Sequence, residues 1–193
     1  PILETIQMAL VGTLLGTIIA VPFSLLAARN IMKNAVARGI IRFFLNLVRA
    51  LPDLLLAALF VAIVGIGPMA GVGALTVFSF GMISKLFYEA IETIDDGPIE
   101  ALTAAGANSI QTIVFAVVPQ VFNQFLSYFL YTLEINVRAS TVLGYLGAGG
   151  VGLYLSQTLS LFRYDRTAIV ILAILVVVII VDGISNRLRE ALA

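Results

Sequence analysis

The chain has 193 residues, of which 61% are hydrophobic and only 11% are charged, whereas about 25% of the residues in a soluble globular domain are charged. A mean hydropathy of +1.09 argues against a soluble core with a polar coat, and a formal net charge of zero gives no basic excess for nucleic acid. Cysteine and histidine are both absent from the sequence, which excludes disulfides, imidazole metal sites and histidine-based catalytic triads. These properties indicate an integral membrane protein.

Five apolar stretches are candidate membrane-crossing helices, each of which needs about 20 mostly apolar residues. They cover residues 5–28, 54–67, 69–84, 113–133 and 168–181. In the first stretch, Gly12 and Gly16 form a G-x-x-x-G pattern that is typical of helix packing. The second stretch reaches spanning length only if its helix begins near Leu47, and we then expect Arg49 and Asp53 to form an ion pair at the membrane edge.

The basic residues predict how the chain is oriented. Five of them lie between the first two apolar stretches: Arg29, Lys33, Arg38, Arg42 and Arg49. Because short cytoplasmic loops carry the excess of Lys and Arg, we expect the chain to start outside, to end in the cytoplasm, and to place residues 85–111 in a cytoplasmic loop. We expect Asp182 at the cytoplasmic edge near Arg187.

The first residue is Pro1 rather than Met, so we expect an N-terminal segment to be missing.

The most informative polar segment is Glu100-Ala-Leu-Thr-Ala-Ala-Gly106. The preceding Asp-Asp-Gly-Pro sequence predicts a turn followed by a helix with Pro98 near its start. We expect a short amphipathic helix from Pro98 to Ala107, with Gly106 in a left-handed C-cap. Its small residues allow another surface to approach closely: Ala101, Ala104 and Ala105. The pattern therefore predicts a docking element rather than a catalytic one.

This segment resembles the cytoplasmic coupling loop of ABC importer permeases. That loop has a Glu-Ala-Ala sequence, a Gly six residues after the Glu, and a Pro nineteen residues after it. Glu100, Gly106 and Pro119 fall on those positions, and Ala101 matches the first Ala. Leu102 replaces the second Ala, and two apolar residues before the proline also differ, which weakens the pattern. The resemblance implies that the loop docks on a separate ATPase subunit and transmits its closure to the spans.

Other segments resemble the phosphonate-uptake branch of the same family. They are Lys85-Leu-Phe-Tyr-Glu89, Ile94-Asp-Asp-Gly-Pro98, Glu134-Ile-Asn-Val-Arg-Ala-Ser-Thr-Val-Leu-Gly144 and Gly147-Ala-Gly-Gly-Val-Gly152. The resemblance implies an all-α integral membrane protein with about five transmembrane helices, a cytoplasmic coupling helix and a glycine-rich re-entrant or broken segment. It further implies one permease domain over residues 1–193, with a coupling loop at about 89–112, in the bacterial inner membrane.

The resemblance also implies partners and a cargo. The expected partners are a dimeric ATPase that binds ATP and Mg²⁺, a periplasmic or lipid-anchored substrate-binding protein, a second permease copy forming a homodimer, and membrane lipid, but no nucleic acid. The expected cargo is phosphonate or a related small phosphorus oxyanion. A methionine-type or other small-solute importer permease is the alternative.

Gly147, Gly149 and Gly152 match the G-x-G-x-x-G pattern of dinucleotide sites. No strand or βαβ pattern surrounds them, so we reject that interpretation and expect a broken or re-entrant helix. The sequence also lacks G-x-x-x-x-G-K-[ST], the phosphate-binding loop of ATPases. We therefore expect this chain to hold no nucleotide, cofactor or metal of its own.

Arg138 is the most informative charge, because charged residues at membrane depth are costly and commonly functional. In one hypothesis its guanidinium attracts the phosphorus oxyanion in bidentate fashion. In the other it pairs with Glu134, one helical turn earlier, and its polar neighbours join helices. The candidate pathway or gate residues are Asn136, Arg138, Ser140, Thr141, Gly147, Gly149 and Gly150.

Two further classes of protein remain as alternatives. A secondary transporter or channel would need carboxylates within the spans for ion coupling, and the spans contain almost none. An intramembrane enzyme would need a catalytic cluster at a membrane face. The acidic cluster of the loop is expected to be solvated rather than catalytic or metal-binding: Glu89, Glu92, Asp95, Asp96 and Glu100. We therefore expect a transport subunit without catalytic residues.

Overall fold

The computed structural model describes residues 1–192, which form helices and connecting turns. The helices are α1 (Ile2–Ala27), α2 (Ala35–Arg49), α3 (Asp53–Val64), α4 (Pro68–Ile91), α5 (Gly97–Ala104), α6 (Ser109–Thr112), α7 (Val118–Leu143), α8 (Gly150–Ser160) and α9 (Tyr164–Leu192). Two π-helical turns, Ile113–Val117 and Gly144–Ala148, flank α7. The all-α architecture expected from the sequence is confirmed.

Within residues 1–192, four helical segments are long and apolar enough to cross a membrane. They are Ile2–Ala27, Pro68–Ile91, Ser109–Ala148 and Tyr164–Ala191. Helices α2 and α3, bent by 83° relative to each other, are together long and apolar enough for a fifth, broken span or for a re-entrant loop. A second span with its helix beginning near Leu47 is not observed: α2 ends at Arg49 and α3 begins at Asp53. Pro52 explains the break, because proline has no N–H to donate and disfavours helical geometry in the preceding residue.

Helices α1 and α4 run side by side in the same direction. A Cβ on Gly12 would lie 2.7 Å from Leu75 Cβ, and one on Gly16 would lie 2.6 Å from Ser79 Cβ. The backbones therefore touch along the predicted G-x-x-x-G face, whose packing role is confirmed. Because the residue offset is the same at both contacts, the two helices remain in register and cross the membrane in parallel.

Helix α7 completes the core by packing against α1 and α4. One hydrophobic cluster contains Ala27, Phe87 and Val121, and a second contains Met8 and Leu143. Since the early part of α7 meets the end of α1, and its late part meets the start of α1, the two helices are antiparallel. We call the end of the bundle that carries α5 the inner end, and the end that carries Gly144–Ala148 the outer end.

Two expected spans are longer than the apolar runs that predicted them. The fourth run was expected to end at residue 133, but α7 continues to Leu143 and a π-helical turn follows it, and the fifth extends from Tyr164 to Leu192. Polar side chains are accommodated in these extensions because they pair between α7 and α9. Large apolar side chains cover the outward face of α9, as a lipid-facing helix requires: Ile169, Leu172, Leu175, Val176 and Ile179.

Candidate functional site

Helix α5 is the expected short helix at the inner end, and it has one anchored and one exposed side. A turn precedes it, in which the Asp95 carboxylate accepts a hydrogen bond from the Gly97 N–H at 3.0 Å. Ile99 packs against the inner hydrophobic cluster. The predicted docking residues are exposed: Glu100, Ala101, Ala104, Ala105 and Gly106. A small-residue surface therefore faces away from the bundle.

Gly106 ends α5 in the predicted left-handed conformation, with φ of +84°. The Gly106 N–H donates to Thr103 O and the Ala107 N–H donates to Leu102 O, both at 3.0 Å, which is the Schellman arrangement. No atom lies within 4 Å of the position that a Cβ would occupy. Glycine is therefore favoured here by backbone geometry and not by lack of space. The helix ends at Ala104 rather than at the expected Ala107.

The segment that follows α5 has a cap that sequence reasoning missed. Asn108 accepts a hydrogen bond from the Gln111 N–H at 2.9 Å, and the Gln111 side chain accepts one from the Asn108 N–H at 2.8 Å. This reciprocal pair is a capping box, and the N-x-x-Q spacing was its signal. It starts the long helix that continues through α7.

Pro119 lies at the second residue of α7, directly after the first π-helical turn. A proline lacks the N–H of a regular helix and its ring clashes with the carbonyl four residues earlier, and the π-helical turn accommodates both defects. Gln120, the next residue, connects α7 by hydrogen bonds to the loop that carries α5. Gln120 accepts a hydrogen bond from the Asp95 N–H at 3.1 Å and donates to Asp95 O at 3.2 Å.

An ionic cluster that we call the inner latch joins the middle of α2 to the inner ends of α1 and α4. Glu92, just after α4, accepts a hydrogen bond from the Arg29 N–H at 2.6 Å and pairs with the Arg42 guanidinium. Arg42 also donates to Ala27 O, at the end of α1, at 2.9 and 2.8 Å. These four residues, Ala27, Arg29, Arg42 and Glu92, define the inner latch.

The inner latch corrects the expectation that Glu92 is solvated, because only 14% of its side chain is exposed. The Arg42 guanidinium lies over the Tyr88 ring, 4.7 Å from its centroid, which adds a cation–π contact. Nearby, Asn30 Nδ2 donates to Ile91 O at 2.6 Å. The long sequence separation between these partners hid the cluster from sequence reasoning.

Asn136 is a buried polar residue that joins α7 to both α1 and α4. Its Nδ2 donates to Thr13 Oγ1 at 2.7 Å and to Ser79 Oγ at 2.6 Å, and its side chain is fully buried. Ser140 is also buried and donates to Val137 O at 2.8 Å. These two candidate pathway residues therefore lie within a helix interface of the single chain.

Arg138 belongs to a neutral group of four charges between α7 and α9. It pairs with Glu134, as the second hypothesis expects, and its Nη2 lies 3.6 Å from Asp182 Oδ2. Arg189 donates to Glu134 Oε2 at 2.7 Å. Asp182 was expected near Arg187; its ion pair is instead with Arg138, because α9 runs antiparallel along α7. Half of the Arg138 side chain is exposed.

Thr141, which completes the polar candidates, donates to Arg138 O at 2.7 Å within its own helix.

The three glycine candidates form the expected broken segment at the outer end: Gly147, Gly149 and Gly150 have φ of +96°, +85° and +69°. The Gly67 N–H donates to Gly147 O at 2.9 Å. A Cβ on Gly149 would lie 2.9 Å from Pro68 N, so this segment is pressed against the start of α4.

Comparisons with known proteins agree with this architecture. A family profile for the binding-protein-dependent transport system inner membrane component matches residues 20–192. The phosphite transport system permease protein PtxC of Stutzerimonas stutzeri is 41% identical over 190 residues, which cover 98% of this chain and 69% of the relative. The phosphate-import permease protein PhnE of Mycolicibacterium smegmatis is 40% identical over 189 residues, 98% of this chain but only 36% of the relative.

Solved structures show the same fold. The MetNI methionine ABC transporter, in an inward-facing conformation, contains a chain that superposes with a TM-score of 0.87 and 25% identity, covering 100% of this chain and 94% of that chain. The family resemblance carried by the coupling loop is therefore confirmed. The chain belongs to the binding-protein-dependent transport system inner membrane components, the multi-pass permease subunits of ABC importers.

Proposed function

We propose that this chain forms the translocation pathway of an ATP-driven importer for a small phosphorus oxyanion such as phosphite, phosphonate or phosphate. The observation that carries the proposal is about 40% identity, over 98% of the chain, to permeases named for phosphite and phosphate transport. The methionine transporter shares the fold at 25% identity. The higher identity favours the oxyanion over an amino acid as cargo.

In this proposal, the ATPase subunits drive transport by acting on α5. The exposed small face of α5 docks on a separate ATPase dimer, which binds ATP and Mg²⁺. When the ATPase dimer closes, it presses on α5, and two connections carry the motion into the bundle. The Asp95–Gln120 hydrogen bonds lead to α7, and the inner latch leads to α1, α2 and α4.

The cargo arrives from the outer side on a periplasmic or lipid-anchored binding protein and passes between two copies of this chain in the lipid bilayer. The Gly147–Gly150 segment, with its left-handed glycines against the start of α4, is a candidate outer gate. Arg138, half-exposed on α7, is the pathway candidate from the sequence that faces outward from the bundle. The chain itself carries out no hydrolysis.

Reconstitution in liposomes with an ATPase subunit and a substrate-binding protein tests the proposal. We expect ATP-dependent uptake of phosphite or a phosphonate, and none of methionine. Gly106→Glu places a carboxylate on the docking face in a left-handed residue and is expected to reduce uptake at least tenfold while the protein still inserts. Gly39→Glu controls for the added carboxylate alone, because Gly39 also has no atom near its Cβ position but lies on α2.

Three results would refute the proposal. Uptake that proceeds without ATP and follows an ion gradient would indicate a secondary transporter. Transport of methionine in place of phosphorus oxyanions would refute the cargo. Normal coupled uptake in Gly106→Glu would refute the role of α5.

A further inference from the structure

We propose that Arg49 and Lys85 form a binding site for the cargo anion within the membrane, on the face where α2 meets α4. The inference rests on the proposed function, because it names the residues that an oxyanion contacts on its way through. Neither residue belongs to the candidates that the sequence suggested, because both were expected near membrane edges.

Arg49 packs beside the middle of α4. A Cβ on Gly81 would lie 3.4 Å from both Arg49 Cα and Arg49 N, so the backbone of Arg49 packs on Gly81. Helix α4 begins at Pro68 and has 24 residues, a length of about 36 Å at the rise of an α-helix, and Gly81 lies about 20 Å from its start. Lys85 follows one turn further toward the inner end.

Both cations border one open cavity. The cavity has a volume of about 380 Å³ and is lined by Arg49, Phe78, Met82, Lys85, Leu86 and Glu89. A water molecule occupies roughly 30 Å³ in the liquid, so the space accommodates a small oxyanion together with several waters. Two cations and one carboxylate give this cavity a net charge of +1.

The Arg49 guanidinium is free to bind a ligand. Within residues 1–192, neither an ion pair nor a side-chain hydrogen bond involves Arg49, whereas Arg42, Arg138 and Arg189 each pair with a carboxylate. Lys85 Nζ approaches Glu89 Oε1 only to 3.5 Å, and half of the Glu89 side chain is exposed. This face therefore presents one unpaired cation, Arg49, beside the Lys85–Glu89 pair, whose side chains are 34% and 50% exposed.

A purely structural role for Arg49 is the main alternative. It lies in the last turn of α2, where a cation interacts favourably with the helix dipole, but that benefit is smaller than the cost of an unpaired cation within a membrane-spanning bundle. The break between α2 and α3 at Pro52 places Arg49 at the end of a half-helix, and discontinuous helices at mid-membrane line the binding sites of many transporters. A negatively charged ligand accounts both for the unpaired cation and for its position at the end of a half-helix.

The comparison with Arg138 favours Arg49 as the anion ligand. Arg138 shares its group with Glu134, Asp182 and Arg189, whose charges sum to zero. An approaching oxyanion would meet two carboxylates there, and both would repel it. At the α2–α4 face it would meet one exposed carboxylate and two cations, which can bind phosphorus oxyanions as a guanidinium fork and a point charge.

The test uses the reconstituted importer with its ATPase and binding protein, and it measures phosphite uptake and ATP hydrolysis in the same liposomes. We expect Arg49→Gln and Lys85→Gln each to lower uptake at least tenfold, while ATP hydrolysis stimulated by the loaded binding protein stays within twofold of the unsubstituted importer. Arg49→Lys should restore at least a third of the uptake. Arg187→Gln, which removes an exposed cation from the inner end, is the matched control and should behave like the unsubstituted importer.

Two results would overturn the inference. One is uptake within twofold of normal in both Arg49→Gln and Lys85→Gln. The other is a parallel fall of uptake and ATP hydrolysis that Arg49→Lys does not rescue, which would assign these residues a structural role. If the unsubstituted importer moves no phosphorus oxyanion at all, the proposed function itself fails, and the two failures are therefore distinguishable.

Discussion

Arg42 and Glu92 form an ion pair that joins α2 to the inner end of α4, and Arg42 simultaneously caps the last turn of α1 through Ala27 O. The loop that carries α5 begins directly after Glu92, so the pair lies between α5 and the helices α1, α2 and α4. In the proposed mechanism, a shift of α5 reaches α4 through the main chain and reaches α1 and α2 through the Glu92 carboxylate.

Glu92→Gln is expected to destabilise the protein by about 1–3 kcal/mol, because Arg42 loses its counter-charge while remaining largely buried. A fully buried pair would cost about 3–5 kcal/mol, but 31% of the Arg42 side chain is exposed, so solvent screens part of the loss. Denaturant unfolding in detergent measures the change. Glu89→Gln removes a half-exposed carboxylate and should cost at most about 1 kcal/mol; equal costs for the two would contradict the latch.

Asn136→Ala is expected to cost about 1–3 kcal/mol of stability. It removes two hydrogen bonds that connect α7 to Thr13 and Ser79, and interhelical hydrogen bonds in membrane proteins contribute about 0.6 kcal/mol on average and 1.7 at most, to which a small cavity adds. Thr141→Val is the control, because Thr141 bonds only within its own helix and should change stability by less than about 0.5 kcal/mol. Equal effects of the two in an unfolding titration would count against Asn136 as a three-helix connection.

Gly149→Ala is expected to disrupt the outer end. Its φ of +85° disfavours any side chain, and the new Cβ would lie 2.9 Å from Pro68 N, so we expect a loss of at least about 2 kcal/mol from strain and displacement combined. Gly183→Ala is the matched control, because Gly183 lies inside α9 with open space around it. That change should be neutral or stabilise by up to about 1 kcal/mol. Thermal unfolding of both variants measures the contrast, and a neutral Gly149→Ala would contradict the close packing.

Gln120→Met is expected to weaken coupling rather than folding. It removes the two hydrogen bonds between α7 and the Asp95 backbone, so α5 should move without α7, and the cargo transported per ATP hydrolysed should fall by roughly threefold or more. Gln124→Met, one turn later, removes only a contact with the Tyr128 hydroxyl and should leave the ratio unchanged. An unchanged ratio of cargo transported to ATP hydrolysed in Gln120→Met would show that motion passes from α5 into the bundle by another route.

Much of the fold was predictable because its determinants are local. Long apolar runs predict spans, Gly12 and Gly16 predict a packing face, and Gly106 after an alanine-rich turn predicts a left-handed helix end. Each of these features depends on residues within a few positions of one another, and each is present in the structure.

The remaining features depend on which distant segments meet. Asp182 has Arg187 five residues away, but the fold brings it to Arg138, 44 residues earlier in the chain. Arg49 was expected in a pair with Asp53; instead, the Asp53 carboxylate accepts the Leu54 N–H at 2.9 Å, and Arg49 lies against Gly81 in the next span. The break at Pro52 ends α2 near Arg49 and so allows Arg49 to pack against Gly81. Where a broken helix packs depends on its contacts with other helices, which its own sequence does not reveal.

Single-cysteine cross-linking tests the central claim most directly, because the sequence contains no cysteine. Ala104→Cys places a thiol on the exposed face of α5, and Phe162→Cys places one between α8 and α9 at the opposite end of the fold. We predict that a thiol-reactive cross-linker joins Ala104→Cys to the ATPase subunit, in a yield that changes with bound nucleotide, and that a membrane-impermeant maleimide added outside labels only Phe162→Cys. Labelling of Ala104→Cys from outside, with no cross-link to an ATPase, would contradict the assignment of α5 as the coupling helix.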